Sequence, residues 1–190
     1  MRVKYTTHGI VLARTHVGEA NTLVSVLTED VGLVFARAQS LRSPGAKLAA
    51  ALATFAESEL VLVRGKEGWR VAGAVLGENW FKRLPSPDTR AAAARVSGLI
   101  LRLVAGEAQD SVLFPIVRAF LISLTDVPPE QREAAEILAV LRLLAALGLD
   151  SGPIPGERAE DFSRHALSEA FEGRAVFVKR INAGIAASGL

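Results

Sequence analysis

Three cations recur at five-residue steps, Arg37, Arg42 and Lys47, inside a stretch from Val31 to Ala56 that holds no acid. A second acid-poor stretch, Asn79 to Gly106, carries Lys82, Arg83, Arg90, Arg95 and Arg102 against one acid, Asp88. Clustered cations without counter-charges are the footprint that a polyanion needs. Arg14, Arg64, Lys66 and Arg70 add to the set at expected strand ends and turns. The chemistry open to these residues is phosphate binding by counterion release, which makes and breaks no covalent bond. Groups for catalysis are scattered instead. His8, His16 and His165 lie in no HExxH, GxSxG or Walker-type spacing, and Ser25, Ser40 and Ser43 stand in no motif. The absence of cysteine excludes disulfides, thiolate metal sites and Cys nucleophiles. The expectation is a binding protein: no enzyme, no catalytic residue, no metal, no cofactor and no small-molecule substrate.

The elements that must position these charges divide at Leu84-Pro85-Ser86-Pro87. Before it, Val, Thr and Gly form short alternating runs; after it, Ala and Leu recur at helical spacing. Two prolines in three residues bar a helix from passing through. Two domains are therefore expected, residues 1–80 and 85–190. Five strands fit the first: Tyr5–Arg14, Asn21–Thr28, Leu33–Ala38, Phe55–Arg64 and Trp69–Leu76. Gly-containing turns separate them, and a short helical run from Lys47 to Leu52 falls between the third and fourth. Five strands in about 80 residues match an OB-fold, a Greek-key barrel that binds single strands with a basic groove and aromatic platforms. Aromatics are few here. Phe35 and Phe55 read as core, and Trp69, after a glycine at a strand start, reads equally as buried or exposed.

After residue 85 the pattern is helical. Val96, Leu99, Ile100, Leu103 and Val104 make one apolar stripe, with Asp88 as the expected N-cap and Arg95 and Arg102 on one flank. Pro115 falls in the first turn of a second helix. A third opens at Pro128-Pro129 and stops at Gly148; apolar on most sides, it is the expected centre of a bundle. Two more helices are expected at about Glu160–Phe171 and Arg174–Ala187. The fold class is thus α+β: an N-terminal five-stranded OB-fold barrel followed by an all-helical domain. No apolar run of about 18 residues exists to span a membrane, and Met1 to Tyr5 lacks the apolar core of a signal peptide.

The run His8-Gly9-Ile10-Val11-Leu12, Gly18-Glu19-Ala20, Leu27-Thr28 and Gly32, followed by Ala36-Arg37, Leu41-Arg42 and Lys47 to Leu52, resembles the N-terminal domain of the RecO family of recombination mediators. Leu141 to Leu149 resembles that family's later helix, and the last residues its terminal helix. The resemblance implies binding of single- and double-stranded DNA, annealing of complementary strands and help in loading the RecA recombinase. It implies two protein partners, RecR and the C-terminal tail of the single-strand-binding protein, and a place in the cytoplasm at the nucleoid. It offers Arg142 as the tail's carboxylate partner; the residue pattern alone offers a core-edge arginine whose stem covers Leu138. Many members carry a four-cysteine zinc module where this chain has the loop Ser151-Gly152-Pro153-Ile154-Pro155-Gly156. That departure, with a net charge of only +2, leaves a rival reading: an OB-fold protein-interaction scaffold with little DNA affinity. The DNA-binding set expected under the first reading is Arg14, Arg37, Arg42, Lys47, Arg64, Lys66, Arg70, Lys82, Arg83, Arg95 and Arg102.

Overall fold

Val- and Thr-rich alternation produces five strands in the computed structural model, which describes residues 3–17, 21–39, 47–104 and 112–189. They are β1 (Val3–Val17), β2 (Asn21–Thr28), β3 (Gly32–Gln39), β4 (Ala56–Gly65) and β5 (Gly68–Asn79). All five expected strands are present, each at least as long as its pattern implied. The short helix α1 (Lys47–Ala51) lies between β3 and β4, as expected. Arg42 lies outside the described residues.

The sheet closes on itself in the order β1-β2-β3-β5-β4. β1 pairs antiparallel with both β2 and β4, and β4 with β5. Closure comes from a short parallel pairing of β3 with β5, Ala36↔Trp69 and Arg37↔Arg70. This is the five-stranded OB-fold topology. Two turns explain the tight corners. Thr28 Oγ1 donates to the Gly32 carbonyl and accepts from the Val31 N–H, and Gly32 adopts φ 76°, a conformation open to glycine. Gly68, at φ 93°, plays the same part in the β4–β5 hairpin.

Inward positions fill the barrel with Val11, Val24, Val26, Val34, Ala36, Ala38, Leu60, Leu62, Trp69 and Val71, and Leu52 joins them from beyond α1. Gly9 shows how tightly β1 approaches its neighbours. A Cβ there would lie 2.7 Å from Val26 Cγ1 and 2.8 Å from Leu60 Cδ1. Gly9→Ala is therefore expected to destabilise the barrel by about 1–3 kcal/mol, the usual cost of overpacking. Urea unfolding followed by tryptophan fluorescence measures it, and an unshifted midpoint would contradict the tight approach.

The chain divides into two compact units, Met1–Arg83 with Val104–Phe114 and Leu84–Leu103 with Pro115–Leu190. The short helix α2 (Trp80–Arg83) ends the first continuous stretch. In the second unit α3 (Pro87–Leu103) starts one residue before the expected cap. Ser86, not Asp88, is the N-cap. Its Oγ accepts from the Thr89 N–H at 3.3 Å, while Thr89 Oγ1 accepts from the Ser86 N–H at 3.2 Å. Pro87 fits because the first helical position needs no N–H. Asp88 sits inside the first turn, where its charge suits the helix dipole.

α4 (Leu113–Asp126) carries Pro115 in its first turn, and a 3-10 turn at Pro129–Gln131 leads into α5 (Arg132–Ala146). α5 is the centre of the helical unit, as its all-round apolar pattern implied. It packs against α3, α6 (Arg164–Glu172) and α7 (Arg174–Ala187). It ends in a Schellman motif, with Gly148 at φ 72° and the Leu149 N–H donating to the Leu144 carbonyl at 2.8 Å. α6 starts at Arg164 rather than near Glu160, because Ser163 caps it by accepting from the Ala166 N–H. No described helix is long and apolar enough to cross a membrane.

Candidate nucleic-acid interface

Strand alternation separates an inward face from an outward one, and the pairing registers put outward residues of all five strands into one row. Thr15 on β1 pairs with Leu23 on β2, Leu23 with Arg37 on β3, and Arg37 with Arg70 on β5. Arg70 pairs with Val63 on β4, and Val63 with Lys4 back on β1. Arg37, Arg70 and Lys4 are exposed along this row. Neighbouring strands lie about 4.8 Å apart, so the Arg37 and Arg70 backbones are adjacent although 33 positions separate them in the chain. Like charges directly opposite are destabilising by themselves; an anion between them reverses the sign.

Beside the row lies a cleft of about 630 Å³. Arg37, Arg70 and Lys66 supply its cations, Asn21 and Gln39 its neutral polar groups, and the Gly65–Gly68 hairpin and Trp69 part of its wall. Glu67 is the one acid in that lining. It faces Arg37 at 3.8 Å with side chains 58% (Arg37) and 90% (Glu67) exposed. So exposed a pair adds little stability. Its carboxylate nevertheless holds one cation that a phosphate would use. Glu67→Gln is expected to tighten oligonucleotide binding about threefold near 50 mM salt, less than a whole phosphate contact because solvent screens the pair. Fluorescence anisotropy reads this directly, and unchanged or weaker binding would contradict the competition.

The other expected site residues separate by location. Arg64 is exposed on β4 with its guanidinium 5.2 Å from the Trp69 ring centroid. Trp69 itself is only 3% exposed, which settles its two readings towards burial. Arg14 is half-buried and pairs with Val24, a core residue, so it belongs to the inward register. The bulge between Val11 and Ala13 shifts the β1 register there. Lys47 opens α1. Lys82 and Arg83 lie on α2. Arg83 stacks over Trp80 at 5.3 Å and bonds Glu78 at 3.0 Å, while Trp80 Nε1 donates to Glu57 at 2.9 Å. The Asn79 N–H and the Arg83 guanidinium hold the Glu78 carboxyl below the usual carboxylate range. Arg95 and Arg102 belong to the helical unit; Arg95 forms a two-pronged pair with Glu136, both contacts at 2.6 Å. Glu136 thus already neutralises Arg95.

Three residues of the row and cleft were not singled out in the sequence: Lys4, Asn21 and Gln39. Alternation along β3 from Arg37 would have pointed to Gln39; the others need the registers. Phe35, expected in the core, is half-buried at the position opposite Ser25, on the outward side of β3 shared with Arg37 and Gln39. Phe55 is buried.

Arg142 lies on the central helix and is 4% exposed. Its Nη2 donates to the carbonyls of Pro155 and Asp161, and its guanidinium lies 4.7 Å from the Phe162 ring centroid. Burial pulls its pKa below the ordinary value, against the opposing charges of Asp161 and Glu160. It ties the loop before α6 to α5. Nη1 is buried and has no hydrogen-bond partner among the described residues.

Groups for a metal do not converge. His8 and His16 are exposed within β1, and His165 lies on α6, 3.5 Å from Glu169. No cluster of three metal-ligating side chains occurs among the described residues. With no cysteine in the chain, the residues do not fit a thiolate zinc module.

Comparison with known proteins agrees with the barrel. The family described as recombination protein O, N terminal, matches residues 1–74. The DNA repair protein RecO of Dehalococcoides mccartyi is 30% identical over 120 residues, 63% of this chain and 47% of the relative. The DNA repair protein RecO of Acetivibrio thermocellus is 26% identical over 144 residues, covering 75% and 56%. That of Gloeobacter violaceus is 29% identical over 147 residues, covering 76% and 56%. The chain spans about half the length of the curated relatives it matches. A closed five-strand ring of OB topology, a matched N-terminal family and relatives whose matches continue into the helical unit agree on one likeness: residues 1–74 match the N-terminal domain of recombination protein O, and the chain is similar to DNA repair proteins RecO.

Proposed function

We propose that the cleft beside the β3–β5 seam binds DNA through its phosphates and that the chain acts as a recombination mediator. The observation that carries this reading is the Arg37↔Arg70 pairing, with Lys66 lining the same cleft. Cations brought together by long-range pairing repel each other until an anion neutralises them. Phosphate contacts made this way carry little sequence information, so binding is weakly sequence-dependent and strongly salt-dependent. Neutralising two strands at once lowers their mutual repulsion and holds them close, which is what annealing requires. No bond-making step is involved, in keeping with a mediator rather than an enzyme.

The rest of the reading comes from the relatives, all named as DNA repair proteins RecO. In it the protein helps load RecA, works at the nucleoid and meets RecR and the tail of the single-strand-binding protein. The division of labour is between residues 1–80, which hold DNA, and 85–190, which hold partners. Arg142 serves the tail only if the Pro155–Phe162 segment moves, since that segment now occupies its guanidinium. The test is a titration of labelled oligo-dT and of duplex at about 50 and 200 mM salt. Salt-sensitive binding of both supports the reading. Absence of binding at the lower salt would overturn it in favour of an interaction scaffold.

A further inference from the structure

The outward face shared by β1, β4 and β5 is acidic at one end and basic at the other. The registers align three rungs across it: His8–Glu59–Val75, Thr6–Val61–Gly73 and Lys4–Val63–Arg70. Glu59 is exposed on the first rung, and Lys4 and Arg70 are exposed on the third. The middle rung carries no charge. Val75 is 69% exposed, and Val61 and Val63 are half-buried, so apolar surface joins the two charged ends. Among the described residues neither Glu59, Lys4 nor Arg70 has an ion-pair partner. Two copies of such a face can meet about a two-fold axis in two ways that keep their strands aligned. An axis along the strands stacks each rung on itself, setting Glu59 on Glu59 and Lys4 on Arg70, which repel. An axis across the strands turns the order of rungs over. Glu59 of each copy then faces Val63 of the other, with Lys4 and Arg70 one strand away on either side, about 4.8 Å. Val61 meets Val61 at the centre, and symmetry makes the charged contact twice. The charge pattern thus selects a single self-complementary arrangement.

We propose that this face joins two copies of the chain in solution, with Glu59 of each seated between Lys4 and Arg70 of the other. The three rungs span about 10 Å across the strands and about 14 Å along them, so the dimer is weak and concentration-dependent. Lys4 and Arg70 also stand on the cationic row. Resting on the DNA-binding reading above, a strand of DNA and the second copy therefore compete for the same cations, and the dimer is the DNA-free form.

The test is sedimentation velocity of the full chain from about 5 to 200 μM at about 50 mM salt, where a weak, charge-assisted dimer is least screened. Wild type is expected to shift from monomer to dimer across this range. Glu59→Lys alone, and Lys4→Glu with Arg70→Glu in one chain, are each expected to weaken the dimer tenfold or more, because like charges then face each other. An equimolar mixture of these two variants is expected to recover dimer to within about threefold of wild type, since both charged contacts are again between opposite signs. Recovery also shows that both variants fold. Wild type that stays monomeric throughout, variants that dimerise as well as wild type, or a mixture that does not recover would each overturn the proposal. Adding oligo-dT to wild type is expected to convert dimer into monomer bound to DNA. A dimer that persists on the oligomer would move the contact to another face. Dimerisation without any binding of oligo-dT would remove the DNA reading and leave the dimer standing.

Discussion

Replacing Arg37, Lys66 and Arg70 together by Ala is expected to weaken single-strand binding about 500-fold near 50 mM salt and about 30-fold near 200 mM. The figures follow from counterion release. Each contact contributes a slope of about −0.7 in log K against log salt, and its electrostatic part vanishes near 1 M. One contact is then worth roughly eightfold at 50 mM and threefold at 200 mM, and three contacts multiply. The plot should flatten by about two units, and the loss should be nearly the same for every sequence. Folding should be unaffected, because Arg37 and Arg70 are exposed and the Arg37–Glu67 pair is a weak surface contact. Anisotropy at four or five salt concentrations, with a thermal melt as control, decides the matter. A folded triple variant that retains the wild-type slope would remove these three residues from the interface.

The second large effect concerns stability. Arg142→Ala is expected to cost the helical unit about 3 kcal/mol. The substitution leaves the carbonyls of Pro155 and Asp161 without their donor and removes the cation lying over Phe162. It also empties a volume that is otherwise closed to solvent, since Arg142 is buried in α5. Arg142→Met separates the causes. Methionine restores much of the stem volume and removes a buried charge together with its unpaired Nη1, so its cost should be nearer 1 kcal/mol. The readout can be assigned to a unit. Both tryptophans, Trp69 and Trp80, belong to the barrel unit, so ellipticity at 222 nm in urea reports mainly on the helices. An unchanged 222 nm midpoint for Arg142→Ala would show that the loop before α6 does not depend on this residue.

What the sequence reveals stops where local rules stop. The five strands and the central helix follow from periodicity, because two- and 3.6-residue repeats are written in consecutive positions. The first helix cap was misplaced because Ser86 and Asp88 are both good capping residues, and the reciprocal Ser86–Thr89 bonds decide between them. The candidate interface was half legible. Arg37, Lys66 and Arg70 were expected from charge alone. Their meeting was not, because a two-residue parallel seam between β3 and β5 has no local signature. Arg14 illustrates the converse. A bulge at Val11/Ala13 shifts the register, and alternation counted from the start of the strand cannot tell which face follows it. Arg95, expected in the cationic footprint, pairs with Glu136, 41 residues away, a partner that charge clustering along the chain cannot reveal.

The alternation of each strand has an evolutionary consequence. Core and outward faces occupy different positions of the same segments: Val34, Ala36 and Ala38 against Phe35, Arg37 and Gln39 on β3, Trp69 and Val71 against Arg70 on β5. Selection can therefore change the charge or reach of the outward row one residue at a time without disturbing the packing beneath it. A lineage can drift in strand preference or affinity while every step remains foldable. The relatives matched here share under a third of their aligned residues with this chain.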